Sequence, residues 1–259
     1  MTSKSGVLLI VGHKLSLIYP SYLHSVFQEN YRFEKNSPKA DLQISLRESP
    51  KKHLYFELKT MESATLFVPT SKQTDFRYIN YHLKFLIELL LSFKIKTAFF
   101  HASALQINGQ AHLFCGQSGA GKSTLLNYAS GQQVLADDLA VIKQTPAGLY
   151  FYQLPLEKYQ RELNPASAIR LRSIYFITQS PTDKLTDLSQ REKYHLLQKA
   201  NFLSFFLNNY CRQHRSQILP SGVNNILKAK ATVLKTIIAK TKIQTLFLTK
   251  SSRYLKLIS

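Results

Sequence analysis

The sequence predicts an α/β fold organised around residues 101–138, and three observations carry this prediction. Gly116 to Ser123 fits the pattern G-x-x-x-x-G-K-[ST], between a strand-like run and a helix-like run. Asn108-Gly109 separates two strand-like runs just before that pattern, which favours a short hairpin. Period-two alternation and amphipathic helical spacing interleave along the rest of the chain. We therefore expect strands and helices around one phosphate-binding loop.

The first 96 residues predict strands and a long helix without any cluster of chemically active side chains. Residues 41–46 alternate with period two, and residues 64–68 form a short β-branched and aromatic run, so both predict strands. Residues 78–93 carry apolar side chains at helical spacing, which predicts a helix packed on the strands that come after it. We expect residues 1–96 to be an α+β accessory region, distinct from residues 97–259.

The candidate phosphate loop follows one arm of the predicted hairpin. The arms are residues 98–107 and 110–115, whereas in most phosphate-loop nucleotidases the entering strand belongs to a parallel βαβ sheet. Glycines let backbone N–H groups turn toward phosphate oxygens, while Lys122 supplies a charge and Ser123 a hydroxyl for Mg²⁺. The candidate nucleotide-binding residues are Gly116, Gln117, Ser118, Gly119, Ala120, Gly121, Lys122, Ser123 and Thr124.

Two adjacent carboxylates follow the loop closely. Residues 123–129 predict a short helix and residues 134–136 a brief strand, which deliver Asp137 and Asp138 fifteen and sixteen residues after Lys122. At that separation the carboxylates can return to the phosphate end of the site, where a metal ligand and a proton acceptor are needed. A pair of aspartates at a strand end is also compatible with a turn or a cap.

Strand and helix patterns continue beyond the acids. Residues 154–164 are polar and carry Glu157, Arg161 and Glu162, which either complete the site or belong to a solvated face. The other predicted elements are a hairpin with arms at 139–142 and 149–152, a strand at 171–177, helical patterning over 187–210, an amphipathic helix at 223–240 and a final strand at 243–248.

The composition indicates the cellular compartment and the kinds of partner that the protein could bind. The two cysteines, Cys115 and Cys211, cannot make a disulfide framework, so we expect a reducing, cytoplasmic environment and a small, buried role for Cys115. The longest apolar stretch, residues 85–93, falls well short of the ~20 residues that span a bilayer.

The net charge of +19 favours anionic partners. Because the basic residues are scattered rather than clustered with aromatics, this charge does not favour nucleic acid in particular.

Three segments together resemble the C-terminal catalytic domain of the HPr kinase/phosphorylase family and its stand-alone serine-kinase-like relatives. They are HASA at residues 101–104, the loop GQSGAGKST, and LADD at residues 135–138. The resemblance extends over residues 85–259, and it implies that residues 97–259 form a nucleotide-binding catalytic domain. The implied fold is a phosphate-loop kinase variant with a mixed β-sheet and flanking helices, similar to phosphoenolpyruvate carboxykinase around the nucleotide.

The resemblance also implies roles for individual residues. The loop would hold the phosphates of ATP, with Ser123 and Asp137 on Mg²⁺. Asp138 matches the position that the family uses as base toward the acceptor serine, and His101 matches a histidine near the reacting groups, although alone it is an ordinary strand residue. The acceptor would be a serine or another hydroxyl of a protein, peptide or small molecule.

One segment departs from the family pattern. Glu157 lies in LEKYQ, a degraded counterpart of the signature E-[IV]-R-G-[LI]-G, and would be a further metal ligand. The departure argues against the reverse phosphorolysis and against HPr itself as substrate.

Two other function classes stay open. An ordinary phosphate-loop ATPase or GTPase is less favoured, because the chain has no LSGGQ-like stretch, no [NT]-K-x-D motif and no long apolar run ending in Asp-Glu. The second is a nucleotide-binding regulatory or partner-binding protein without kinase activity, which could contact nucleic acid through the basic C-terminal half, where no acid follows Glu192. The sequence leaves the oligomeric state open, a homo-oligomer included.

Overall fold

Two β-sheets and the helices packed on them form the architecture, as the interleaved strand and helix patterns predict. The structure is a computed structural model that describes residues 2–34, 39–51, 54–70, 75–117, 119–129, 132–155, 167–204, 223–249 and 254–258. The helices within these ranges are α1 (His24–Asn30), α2 (Phe76–Lys94), α3 (Lys122–Asn127), α4 (Gln190–Ala200), α5 (Val223–Lys240) and α6 (Leu255–Ile258). No helix in the described part of the chain is long and apolar enough to cross a membrane.

The first sheet is formed by the N-terminal part of the chain. Its strands are β1 (Ser3–Ile10), β2 (His13–Pro20), β3 (Leu42–Ser49), β4 (Tyr55–Thr60) and β5 (Ser63–Pro69). They lie in the order β1-β2-β3-β5-β4, with β3 parallel to both of its neighbours and the two outer pairs antiparallel. The strands predicted at 41–46 and 64–68 are confirmed as β3 and β5. Alternate side chains of β3 are buried, as the period-two pattern requires.

The second sheet carries the predicted phosphate loop. Its strands are β6 (Thr97–Ile107), β7 (Gln110–Cys115), β8 (Gln133–Ala136), β9 (Leu139–Thr145), β10 (Gly148–Tyr152), β11 (Ala168–Gln179), β12 (Lys184–Asp187) and β13 (Lys242–Leu248). Their order is β10-β9-β6-β7-β11-β13-β12, with β8 on β6 and a further pairing of β10 with β11. Strand β11 is parallel to β7 and β13, whereas the other pairs are antiparallel. The sheet is therefore mixed, in agreement with the predicted α/β class.

The hairpin that precedes the loop is confirmed. Strands β6 and β7 pair from Ala102 opposite Cys115 to Ile107 opposite Gln110. The turn residue Asn108 has a φ of 50° and the following glycine a φ of 74°, which is the conformation that an Asn-Gly turn favours.

The β1–β2 hairpin and strand β12 are two of the elements that the sequence prediction missed. The turn between β1 and β2 places Val11 at a φ of 54°, a conformation that a β-branched residue rarely adopts, so no local pattern predicted this hairpin. Strand β12 was also missed, because it is a four-residue edge strand whose residues are polar except Leu185.

The helix predicted over 187–210 begins later than predicted and is interrupted at Asn201, where the backbone is extended and pairs with Phe100. Helix α4 begins after Ser189, whose side chain accepts a hydrogen bond from the Glu192 N–H while Glu192 accepts from the Ser189 N–H. This capping box ends the extended segment and starts the helix, and residues 205–210 of the predicted helix lie outside the described ranges. The helices predicted at 78–93 and 223–240 are confirmed as α2 and α5.

Helix α2 joins the two sheets. Asp75 caps its start by accepting from the Arg77 N–H at 2.8 Å, and the helix contacts both β5 and β6. Eight apolar residues of α2 are buried in one hydrophobic cluster that also includes the core of the first sheet together with Phe99 and Val141 of the second. The division of the chain at residues 96 and 97 stays a prediction, but α2 packs on both sides of it.

A buried carboxylate lies at the centre of this packing. Glu88 of α2 is fully buried, and its Oε1 atom accepts hydrogen bonds from Lys230 Nζ at 2.8 Å, Phe99 N at 3.1 Å and Asn201 Nδ2 at 3.3 Å. Lys230 of α5 also donates to the carbonyl of Thr97. Burial lowers the pKa of Lys230 against the opposing attraction of Glu88. One oxygen therefore connects α2, α5, β6 and the residue that follows α4.

Replacement of Lys230 by methionine is expected to destabilise the fold by about 3 kcal/mol or more, because it leaves the buried Glu88 carboxylate without its counter-charge. The free energy of unfolding is measured by urea denaturation. Lys228→Met, on the exposed face of the same helix, is the matched control and should change that free energy by less than about 0.5 kcal/mol. Adding Glu88→Gln should recover part of the loss, and equal stability of the Lys230 and Lys228 variants would contradict this account.

Candidate functional site

The predicted phosphate loop leads from the end of β7 into α3. Gly119 and Gly121 have φ angles of 81° and 99°, which explains glycine at both positions. A Cβ atom added to Gly116 would lie 3.0 Å from the Ala120 Cβ, so this end of the loop has little room for a side chain. Ser118 lies outside the described ranges, whereas Ser123 and Thr124 lie in the first turn of α3, where Thr124 is exposed.

The side chain of Lys122 folds back onto its own loop. Its Nζ atom donates to the carbonyl oxygens of Gly116 at 2.8 Å and Gln117 at 3.2 Å, and the residue is 9% exposed. Burial lowers the pKa of Lys122, while Asp138, Cys115 and Asp137 act in the opposite direction. A phosphate group in the loop would offer this ammonium anionic oxygens in place of two carbonyls.

Strand β6 holds the paired acids beside the loop. His101 lies opposite Leu139 and Ala104 opposite Ala136, so β6 runs alongside both strands that flank Asp137 and Asp138. The N–H of Ala102 donates to the Asp138 carbonyl at 3.1 Å, and Ser103 Oγ donates to the Asp137 carbonyl at 2.6 Å. The backbone of the acids is thus fixed by the strand that also carries His101.

Asp137 lies next to the hydroxyl at the start of α3. Ser123 Oγ donates to Asp137 Oδ1 at 3.5 Å, a long contact between two oxygens of the kind that Mg²⁺ binds. Because Mg²⁺ usually keeps several waters and takes one or two protein ligands beside substrate phosphates, this pair fits such a site. Glu157 lies outside the described ranges, and the described residues contain no cluster of three or more His, Cys, Asp or Glu that could hold a metal.

Asp138 lies between two basic side chains. Its Oδ2 atom is 3.2 Å from Lys84 Nζ, and its Oδ1 atom is 3.5 Å from His101 Nδ1. Partial burial acts to raise the pKa of Asp138, but the charges of Lys84 and Lys122, the hydrogen bond from Lys84 and, when it is protonated, the charge of His101 together lower it. Burial also lowers the pKa of His101, although Asp138 opposes this, so the imidazole is neutral at pH 7. A carboxylate that stays ionised and is more than half exposed can accept a proton from a bound group.

Sequence reasoning named His101, Asp137, Asp138 and the loop as candidates, and the structure brings these described residues together, but the sequence reasoning did not name Lys84. This lysine comes from α2, within the region predicted to be accessory, and it reaches Asp138 across 54 residues of sequence. A signal was present, because Lys84 and Glu88 are opposite charges four residues apart inside an otherwise apolar helical run. Charges on the face of a helix that is buried require partners elsewhere in the fold.

Comparison with known proteins gives only a distant structural similarity. No protein-family model matches it. No curated protein matches it either. Among solved structures, it is similar to the Hpr(Ser) kinase/phosphatase from Coxiella burnetii, with 15% sequence identity, 45% of this chain and 95% of that chain covered, and a TM-score of 0.26. At this low TM-score the similarity supports no argument about function, so only the geometry of the site bears on it.

Cys115 closes β7 immediately before the loop. It is fully buried, and burial raises the pKa of its thiol to about 12. The pattern of the sequence predicted a small buried residue at this position, and its burial is confirmed. A thiol of this pKa carries very little thiolate at neutral pH, which does not favour a redox role.

Cys115 is expected to resist alkylation by iodoacetamide in the folded protein at pH 8, because burial excludes the reagent and suppresses the thiolate. Digestion and mass spectrometry report its peptide separately from that of Cys211. The same labelling in urea is the control and should modify Cys115 completely. Equal labelling rates with and without urea would contradict the burial of this residue.

Proposed function

We propose that the chain binds ATP in the loop Gly116–Ser123 and transfers its γ-phosphoryl group to a hydroxyl group. The observation that carries this proposal is the position of the paired acids. Asp137 meets the Ser123 hydroxyl at 3.5 Å, while the adjacent Asp138 is held among Lys84, His101 and the loop lysine. A candidate metal ligand and a candidate base thus lie side by side at one end of the candidate phosphate loop, which supports the proposal.

The loop residues bind and orient the triphosphate. Backbone N–H groups of the glycine-rich segment contact phosphate oxygens, and Lys122 moves its ammonium from its own carbonyls to the phosphates. Ser123 and Asp137 would hold Mg²⁺, which supplies charge neutralisation when bound. Catalysis of phosphoryl transfer depends mainly on such positioning and on electrostatic stabilisation.

Asp138 accepts the proton of the attacking hydroxyl. Its carboxylate is ionised at neutral pH and its side chain is 56% exposed, so an acceptor can approach it. The Nδ1 atom of His101 lies 3.5 Å from Asp138 Oδ1, so His101 borders the carboxylate and any group bound beside it. The acceptor is a serine or another hydroxyl of a protein, a peptide or a small molecule.

The first test concerns nucleotide binding. Lys122→Ala is expected to weaken ATP binding at least about tenfold, which corresponds to roughly 1.4 kcal/mol, because it removes the charge at the phosphates. Isothermal titration calorimetry with ATP and Mg²⁺ measures the dissociation constant. Lys199→Ala, at an exposed position near the end of α4, is the matched control and should bind like the wild type. Unchanged affinity of the Lys122 variant would remove the phosphate-loop assignment.

The second test separates chemistry from binding. Asp138→Asn is expected to lower phosphoryl transfer about 100-fold or more while ATP affinity stays nearly unchanged, because the amide cannot accept the proton. Transfer is followed with γ-labelled ATP and a degenerate library of serine-containing peptides, with mass spectrometry of the products. Asp187→Asn, at an exposed edge strand, serves as control.

The outcomes discriminate the kinase from the non-catalytic alternative. Equal loss of binding and transfer in Asp138→Asn would reject its assignment as the base. Wild-type protein that binds ATP but transfers no phosphoryl group to peptides or small hydroxyl compounds would support a nucleotide-binding regulatory protein instead.

A further inference from the structure

Lys84 brings the N-terminal part of the chain into the candidate site. It lies on α2, its side chain is 9% exposed, and its Nζ atom donates to Asp138 Oδ2 at 3.2 Å. Asp138 itself lies between β8 and β9, on the far side of the predicted division of the chain. Residues on both sides of that division therefore build one ion pair.

The position of Lys84 is fixed by the buried network one helical turn away. Residues four apart on a helix share a face, so Lys84 and Glu88 both face β6 and the strands beside it. Glu88 ties α2 to Phe99 N and to Lys230, which prevents the helix from sliding along β6. This packing consequently fixes the distance from the Lys84 backbone to Asp138.

The ion pairs that Glu88 and Lys84 make differ in a way that points to function. In the Glu88–Lys230 pair both side chains are buried, with exposures of 0% and 4%. In the Lys84–Asp138 pair the lysine is 9% exposed but the carboxylate is 56% exposed. The lysine side chain is thus buried, whereas the carboxylate that it contacts is exposed to solvent. Lys84 can therefore hold Asp138 from the buried side while the carboxylate stays accessible to a bound group.

We propose that Lys84 is a positioning residue for phosphoryl transfer: it holds Oδ2 of Asp138, so that Oδ1 is the oxygen presented to the acceptor hydroxyl. This role rests on the proposed function. Oδ1 is the oxygen on the side of His101, and a charge-assisted hydrogen bond to the other oxygen restricts rotation of the carboxylate. Residues 1–96 then contribute directly to the catalytic site.

The test compares three variants of α2 for transfer rate and for ATP affinity. Lys84→Met is expected to lower the transfer rate at saturating ATP at least tenfold, with the ATP dissociation constant within about twofold of wild type. Lys84→Arg keeps a donor and a charge and should recover most of the rate. Lys94→Met is the matched control, because Lys94 lies at the end of the same helix and pairs with the exposed Glu62 at 2.7 Å. The assay uses γ-labelled ATP and the serine-peptide library, and calorimetry with ATP and Mg²⁺ measures affinity.

Each outcome has a distinct meaning. A rate for Lys84→Met equal to that of Lys94→Met would overturn the positioning role while leaving the kinase proposal intact. Parallel losses of rate and ATP affinity would also overturn it, since Lys84 would then contact the nucleotide or support the fold. Failure of Lys84→Arg to exceed Lys84→Met would overturn it as well, because the charged hydrogen bond would then not be what sustains the rate. Wild-type protein without transfer would remove the proposed function, and this role with it.

Discussion

The packing of helices α2 and α5 on strand β6 depends on one buried carboxylate oxygen. Glu88 Oε1 accepts from a backbone N–H of β6, from the amide of Asn201 and from the ammonium of Lys230. Removing a carboxylate from water is unfavourable unless such donors surround it, so α2, α5 and β6 can bury their apolar faces together only in the arrangement that brings these donors to Glu88.

Strand β6 connects this buried carboxylate to the candidate site. Its Phe99 N–H donates to Glu88, it carries His101 two residues later, and it fixes the backbone of the acids through Ala102 and Ser103. The same strand forms the hairpin with β7 that leads into the candidate phosphate loop. Loop, acids and helix α2 are therefore all attached to one rigid element, and a site supported in this way can hold reacting groups at fixed distances.

Patterns that depend on neighbouring residues were predicted well. The Asn-Gly turn, the strands β3 and β5 and the helices α2 and α5 follow from spacing and turn chemistry. The β1–β2 hairpin and β12 were missed, because Val11 adopts an unusual conformation for its residue type and β12 forms only by pairing with the edge of β13. Edge strands of this kind owe their structure to the sheet rather than to their own sequence.

The sequence by itself identified the candidate phosphate loop and the two acids that follow it, because the phosphate-loop motif requires particular residues at fixed short spacing and a short helix and strand lead back to it. It could indicate that Lys84 and Glu88 needed partners, but not which ones. Only the tertiary structure decided that Lys84 meets Asp138 and that Glu88 meets Lys230, at separations of 54 and 142 residues. Those contacts depend on how α2 packs between the sheets, and that packing is a property of the whole core rather than of any local pattern.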